Sequence, residues 1–126
     1  MTSNAAGRKT VLIVEDDELV RAAIMEELDE RGLNVLEAED SMAALAIIES
    51  DVPLDLLIAD IGLPGLDGRR LADMAQIMRP ELKILFLTGY NSDAVLESLP
   101  ARTKIVEKPI ELHVLAMLAK AMIEER

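Results

Sequence analysis

The chain has no cysteine and no tryptophan, and its only aromatic side chains are Phe86 and Tyr90. Without thiols it can form neither disulfides nor thiolate metal sites. Two rings within one five-residue stretch do not make the stacking platforms on which single-stranded nucleic acid binds. Basic residues are also scarce, 13 against 24 acids, for a formal net charge of −11. Phosphate backbones need clustered Lys and Arg, so nucleic acid is excluded as a direct partner, whereas a divalent cation or a basic protein surface is allowed. No apolar run approaches the roughly 20 residues of a membrane span. The opening MTSNAAGRK lacks the apolar region of a signal peptide. A cytoplasmic protein with no membrane contact is expected.

What is present fits one domain. The 126 residues are 51% hydrophobic and 29% charged, enough to bury a core and stay soluble. No repeat, low-complexity block or linker divides them. Residues 1–8 read as a flexible tail, and 9–126 as the domain. Short apolar runs at 11–14, 35–38, 54–59, 84–87 and 103–106 read as strands. The first, third and fourth are solid, as in parallel strands covered on both faces.

Helices are expected between the strands. Val20, Ile24 and Leu28 form one stripe, stopped by Gly32. Ser41 is a candidate cap for 42–49, with Leu45 and Ile48 inward. A helix over 69–78 follows Gly68 and ends before Pro80. A short one over 91–99 is closed by Pro100. Leu112, Leu115, Ala119 and Met122 give the last helix a buried face. The methionines, mostly at helical spacings, read as core filler, and His113 as a surface residue. Five strands alternating with five helices predict an open parallel α/β sheet, whose strands share a C-terminal edge where ligands bind.

That edge should carry chemistry. The first strand runs into Glu15, Asp16 and Asp17, the third into Asp60, the fourth into Thr88 and the fifth into Lys108. Each has a bland explanation, such as a helix cap for the acids, a turn for Asp60 or a solvated lysine. Only a shared pocket explains all of them together. Two carboxylates about 4 Å apart repel by roughly 4 kcal/mol at an effective dielectric near 20, and Lys108 offsets part of this. Mg²⁺ suits a site of one or two carboxylates plus waters and phosphate. Such a site is equipped for phosphoryl transfer, with Asp60 as nucleophile, Lys108 and the metal neutralising the phosphoryl oxygens, and Thr88 donating a hydrogen bond.

These stretches resemble the response-regulator receiver domain of two-component signalling. VLIVEDDELVR is similar to its first strand and acidic pair, DIGLPGLDG to its phosphoacceptor loop with Pro64, Asp67 and Gly68, LFLTGY to its fourth strand and switch hydroxyl, and VEKPI to its Lys-Pro turn. The resemblance covers the chain from about residue 9. It implies a single-domain, doubly wound, flavodoxin-like fold: a five-stranded parallel sheet in the order 2-1-3-4-5, with helices on both faces. It implies Mg²⁺ or Mn²⁺ bound by Glu15, Asp16, Asp60 and the Gly62 carbonyl, with Asp17 as a helix cap. Asp60 is then the phosphoacceptor, Thr88 and Lys108 contact the phosphoryl group, and the Lys108-Pro109 peptide is cis.

Many receivers carry Tyr or Phe three residues before the lysine as part of the switch. Here that position is Ile105. FLTGY is similar to a subclass with a Phe-Ala-Thr-Gly-Tyr-like motif, in which Tyr90 either replaces the missing ring or covers the pocket mouth. The implied partners are a histidine kinase or a histidine phosphotransfer protein and a downstream protein target, with the receiver a monomer or weak dimer. No enzyme activity is implied beyond self-catalysed transfer and autodephosphorylation. A Mg²⁺-dependent phosphatase with an Asp nucleophile would need an acid two residues on, where Gly62 stands. A degenerate receiver would not keep the full set. With no output domain after Arg126, a stand-alone receiver or equally a receiver cut from a hybrid kinase is expected, the Met1 start favouring the former.

Overall fold

The solid apolar runs become the centre of a sheet. In the computed structural model, which describes residues 8–62, 67–89 and 102–125, β1 (Thr10–Val14), β2 (Asn34–Ala38), β3 (Leu56–Asp60), β4 (Lys83–Thr88) and β5 (Thr103–Glu107) are all parallel. Their order is β2-β1-β3-β4-β5, as expected. Four helices accompany them among the described residues: α1 (Glu18–Glu30), α2 (Ser41–Glu49), α3 (Gly68–Met78) and α4 (Leu112–Glu124). The helix expected over 91–99 lies outside the described residues, as do Pro64, Tyr90 and residues 1–7. Of the expected tail, Arg8 is described, and its guanidinium donates to the carbonyls of Gly32 and Leu33.

Side chains alternate across each strand and divide the core in two. Leu12, Val14, Leu57, Ala59, Ile84 and Phe86 face α2 and α3. Val11, Ile13, Leu56, Ile58, Leu85 and Leu87 face α1 and α4. Both faces of β1, β3 and β4 are therefore dry, which explains why those three runs carry no polar alternation. Ile105 packs against the α2–α3 side and is paired in register with Phe86.

Three sequence expectations change. The cap of α2 is Asp40, not Ser41. Asp40 is extended, and its carboxylate accepts the Ala43 N–H at 2.8 Å, which leaves Ser41 as the first, buried helical residue. The third strand is Leu56–Asp60 rather than 54–59; just before it, Asp55 is held at Thr10, its carboxylate accepting the Thr10 N–H at 2.8 Å and its own N–H donating to the Thr10 carbonyl at 2.8 Å. Most described methionines are not core. Met42, Met74, Met78 and Met117 are exposed, Met25 is half-buried, and Met122 alone among them is buried. Helical spacing made a stripe, but the sheet lies on the other side of it. His113 is exposed, as expected.

Candidate functional site

Because every strand is parallel, all the C-terminal ends lie at one edge, and local chemistry presents a polar group at those of β1, β3, β4 and β5. Glu15 follows β1 directly, with its N–H donated to the Ala38 carbonyl of β2 at 3.2 Å. Two residues on, Asp17 caps α1 and accepts from the N–H groups of Leu19 and Val20 at 3.0 and 3.2 Å. Asp17 in turn donates its own N–H to Glu15 Oε2 at 3.0 Å. Asp17 is thus the cap that the acidic run predicts.

Asp60 ends β3, and both its carboxylate oxygens are engaged. Oδ1 accepts the Gly62 N–H at 2.8 Å, and Oδ2 accepts from Lys108 Nζ at 2.7 Å. Lys108 follows β5, and its backbone N–H extends the ladder to the Thr88 carbonyl at 2.7 Å. The peptide between Lys108 and Pro109 is cis. The Lys108 ammonium also lies 3.6 Å from Glu15 Oε1. Thr88 ends β4 and is buried. The sheet therefore brings Glu15, Asp16, Asp60 and Lys108 into one cluster, with Thr88 on the neighbouring strand end. Gly62 reaches it through its N–H, while Tyr90 lies outside the described residues.

The electrostatics are unbalanced. Carboxylate oxygens of Glu15, Asp16 and Asp60 lie within 4.8 Å of one another. Glu15 is 1% exposed and Asp60 8%. Burial pushes the Glu15 carboxyl above the ordinary range. The Asp17 N–H lowers it, the Asp60 charge raises it, and Lys108 lowers it. For Lys108, burial lowers the ammonium pKa, but the hydrogen bond and charge of Asp60, helped by Glu15, outweigh it and leave the group raised.

Three carboxylates facing one ammonium leave a formal excess of two negative charges. Glu15 Oε1 is buried without a hydrogen-bond partner, an arrangement that costs about 1–3 kcal/mol or more for a charged group. A hard divalent cation answers both, since it takes oxygen ligands and cancels the excess. The donor set fits Mg²⁺ or Mn²⁺.

Two supporting roles escaped sequence reasoning: that of Gly68, named there only as part of the loop, and that of Arg21. Gly68 opens α3 against the back of the site. A Cβ there would lie 2.3 Å from the Asp60 carbonyl oxygen and 2.9 Å from its carbon. Arg21, one turn into α1, donates to the Glu15 carbonyl at 2.7 Å and to Glu37 Oε1 on β2 at 2.8 Å. The hydrogen bond to Glu37 raises the guanidinium pKa, against the opposing effect of burial. A glycine at a helix start gave a weak signal. An arginine among acids gave none, since the Glu37 carboxylate that holds it comes from another strand.

A family model of the response regulator receiver domain matches residues 11–120. The sensor kinase CckA of Brucella abortus (strain 2308) is 35% identical over 127 residues, covering 98% of this chain and 13% of CckA. The chain thus spans a small part of that kinase. The response regulator receiver protein CpdR of the same organism is 32% identical over 107 residues, covering 83% of this chain and 88% of CpdR. A solved CheY-like receiver domain protein from Methanospirillum hungatei JF-1 shares the fold with a TM-score of 0.86 at 30% identity, covering 94% of this chain and 95% of that one. The chain belongs to the response regulator receiver domain family of two-component systems.

Proposed function

We propose that residues 9–126 form a phosphoacceptor receiver in which Asp60 takes a phosphoryl group from a phosphohistidine. The donor is a histidine kinase or a histidine phosphotransfer protein. An Asp60 oxygen attacks phosphorus, the phosphorus–nitrogen bond breaks, and the imidazole leaves with the electron pair. Asp60 becomes an acyl phosphate. Lys108, already 2.7 Å from Asp60, holds a positive charge beside the transferred oxygens, and Thr88 supplies a hydroxyl on the neighbouring strand end. Glu15, Asp16, Asp60 and the Gly62 carbonyl would hold Mg²⁺ or Mn²⁺. When bound, the metal supplies neutralisation of charge on the phosphoryl oxygens.

The observation that carries this reading is the convergence at one sheet edge of Asp60, its Lys108 partner and a three-carboxylate cluster. Its chemistry is limited to self-catalysed loading and autodephosphorylation, so the protein signals rather than turning over a substrate. Loading changes the surface around β4 and β5, which controls a downstream protein. Thr88 and Tyr90 are the switch candidates of the Phe-Ala-Thr-Gly-Tyr-like subclass, given Ile105 on β5. A cytoplasmic monomer or weak dimer fits the acidic composition, and no described helix is long and apolar enough to cross a membrane.

Incubation with acetyl phosphate and Mg²⁺, followed by intact mass, tests the reading. One phosphoryl increment is expected in the parent and none in Asp60→Asn or with excess chelator. Loading that persists in Asp60→Asn would refute it.

A further inference from the structure

Strand β2 sends no ligand to the site, yet its end is tied to the acidic pair twice. The Ala38 carbonyl accepts the Glu15 N–H, and Glu37, the residue before it, holds the Arg21 guanidinium that donates to the Glu15 carbonyl. Both peptide groups of Glu15 are thereby fixed to one strand. The second leads directly into Asp16, the exposed member of the three-carboxylate cluster. Were that carbonyl released, the peptide plane could rotate and carry the Asp16 carboxylate away from Glu15 and Asp60.

The Arg21 side chain is 12% exposed, so it is not a solvated surface charge. Its planar fork serves two acceptors at once, which an ammonium does with less geometric constraint. Glu37 also cancels a positive charge that would otherwise repel a cation from the cluster.

We propose that Arg21 is a positioning residue for the metal site, holding the Glu15–Asp16 peptide to β2 through Glu37 so that Asp16 is placed for the cation. This rests on the metal site of the proposed receiver function. Preorganisation of this kind lowers the cost of assembling ligands when the ion arrives.

Mg²⁺ titration calorimetry on the parent, Arg21→Ala, Arg21→Lys and Glu37→Gln tests it, with urea unfolding in EDTA run in parallel. Arg21→Ala should raise the Mg²⁺ Kd about tenfold. Arg21→Lys should recover part of the loss, and Glu37→Gln should weaken binding less than Arg21→Ala. A merely structural role would lower the metal-free unfolding midpoint and leave the Kd of the folded protein unmoved. An Arg21→Ala protein with the parent Kd overturns the proposal. If Arg21→Ala does not fold, weakened binding in both other variants supports it, and parent-like binding in both overturns it. A parent that binds no Mg²⁺ overturns the functional reading itself, and this inference with it.

Discussion

Replacing Gly68 by alanine sets two physical effects against each other. Gly68 is the first residue of α3, where alanine's higher helix propensity would favour the folded state by up to about 1 kcal/mol. The added Cβ, however, would sit 2.3 Å from the Asp60 carbonyl oxygen, 2.9 Å from the carbonyl carbon and 3.0 Å from Ile61 Cα. All three atoms are backbone, so no side chain can rotate away. Relieving the closest contact requires the start of α3 and the end of β3 to part by about 0.7 Å, and overpacking of this kind costs roughly 1–3 kcal/mol.

The clash should win. We expect a net loss of about 1–2 kcal/mol, read as a lower urea midpoint with an unchanged slope. The melting temperature should fall by about 3–5 °C for each kcal/mol in a chain of this length. The shift also has a direction, because it pushes on the residue that ends in the site. Asp60 would lose its alignment with Lys108, now at 2.7 Å, and acetyl phosphate loading should slow. A Gly68→Ala protein as stable as the parent, and loaded as fast, would refute the reasoning.

Mg²⁺ at 100 times its dissociation constant should stabilise the native state by about 2.7 kcal/mol; an unchanged melting midpoint at saturating metal would count against the site. Glu15→Gln should stabilise the metal-free protein while weakening Mg²⁺ binding. The Glu15 pKa is raised on folding, so its contribution is fully present below the unfolded value and lost as pH rises through the folded one. Melts in EDTA should accordingly show the parent losing more stability than Glu15→Gln across that rise. Asp40→Ala removes the α2 cap, and should cost about 1 kcal/mol in urea unfolding without altering Mg²⁺ affinity. Beryllofluoride should shift the amide signals of residues 88–99 more than those of 103–106, and Tyr90→Ala should blunt the response while Asp60 still loads. A parent-like response in Tyr90→Ala would place the switch elsewhere.

The five strands, their parallel arrangement and the buried face of α4 follow from local pattern. Apolar runs without alternation can only be covered on both sides, and residues four apart share one side of a helix. The ionisable residues at the strand ends could be named for a related reason, since parallel strands put their C-terminal ends on one edge, but their convergence requires β1, β3, β4 and β5 to be neighbours, as they are. Which groups touch was decided only by the tertiary structure. Lys108 reaches Asp60 across 48 residues of sequence, because β4 lies between their strands and holds the register. The same dependence explains the errors. Periodicity shows that Met42 and Met117 lie on a stripe, but not on which side of it the sheet falls. The sequence around Asp55 contains no sign of Thr10, whose N–H its carboxylate accepts just before β3 begins. Gly68 and Arg21 have local roles that look ordinary. Their importance arises from partners that the pattern of residues does not show, the Asp60 carbonyl at the end of β3 packed against Gly68 and the Glu37 carboxylate of β2 beside Arg21, because a contact's energy depends on distance in space and not along the chain.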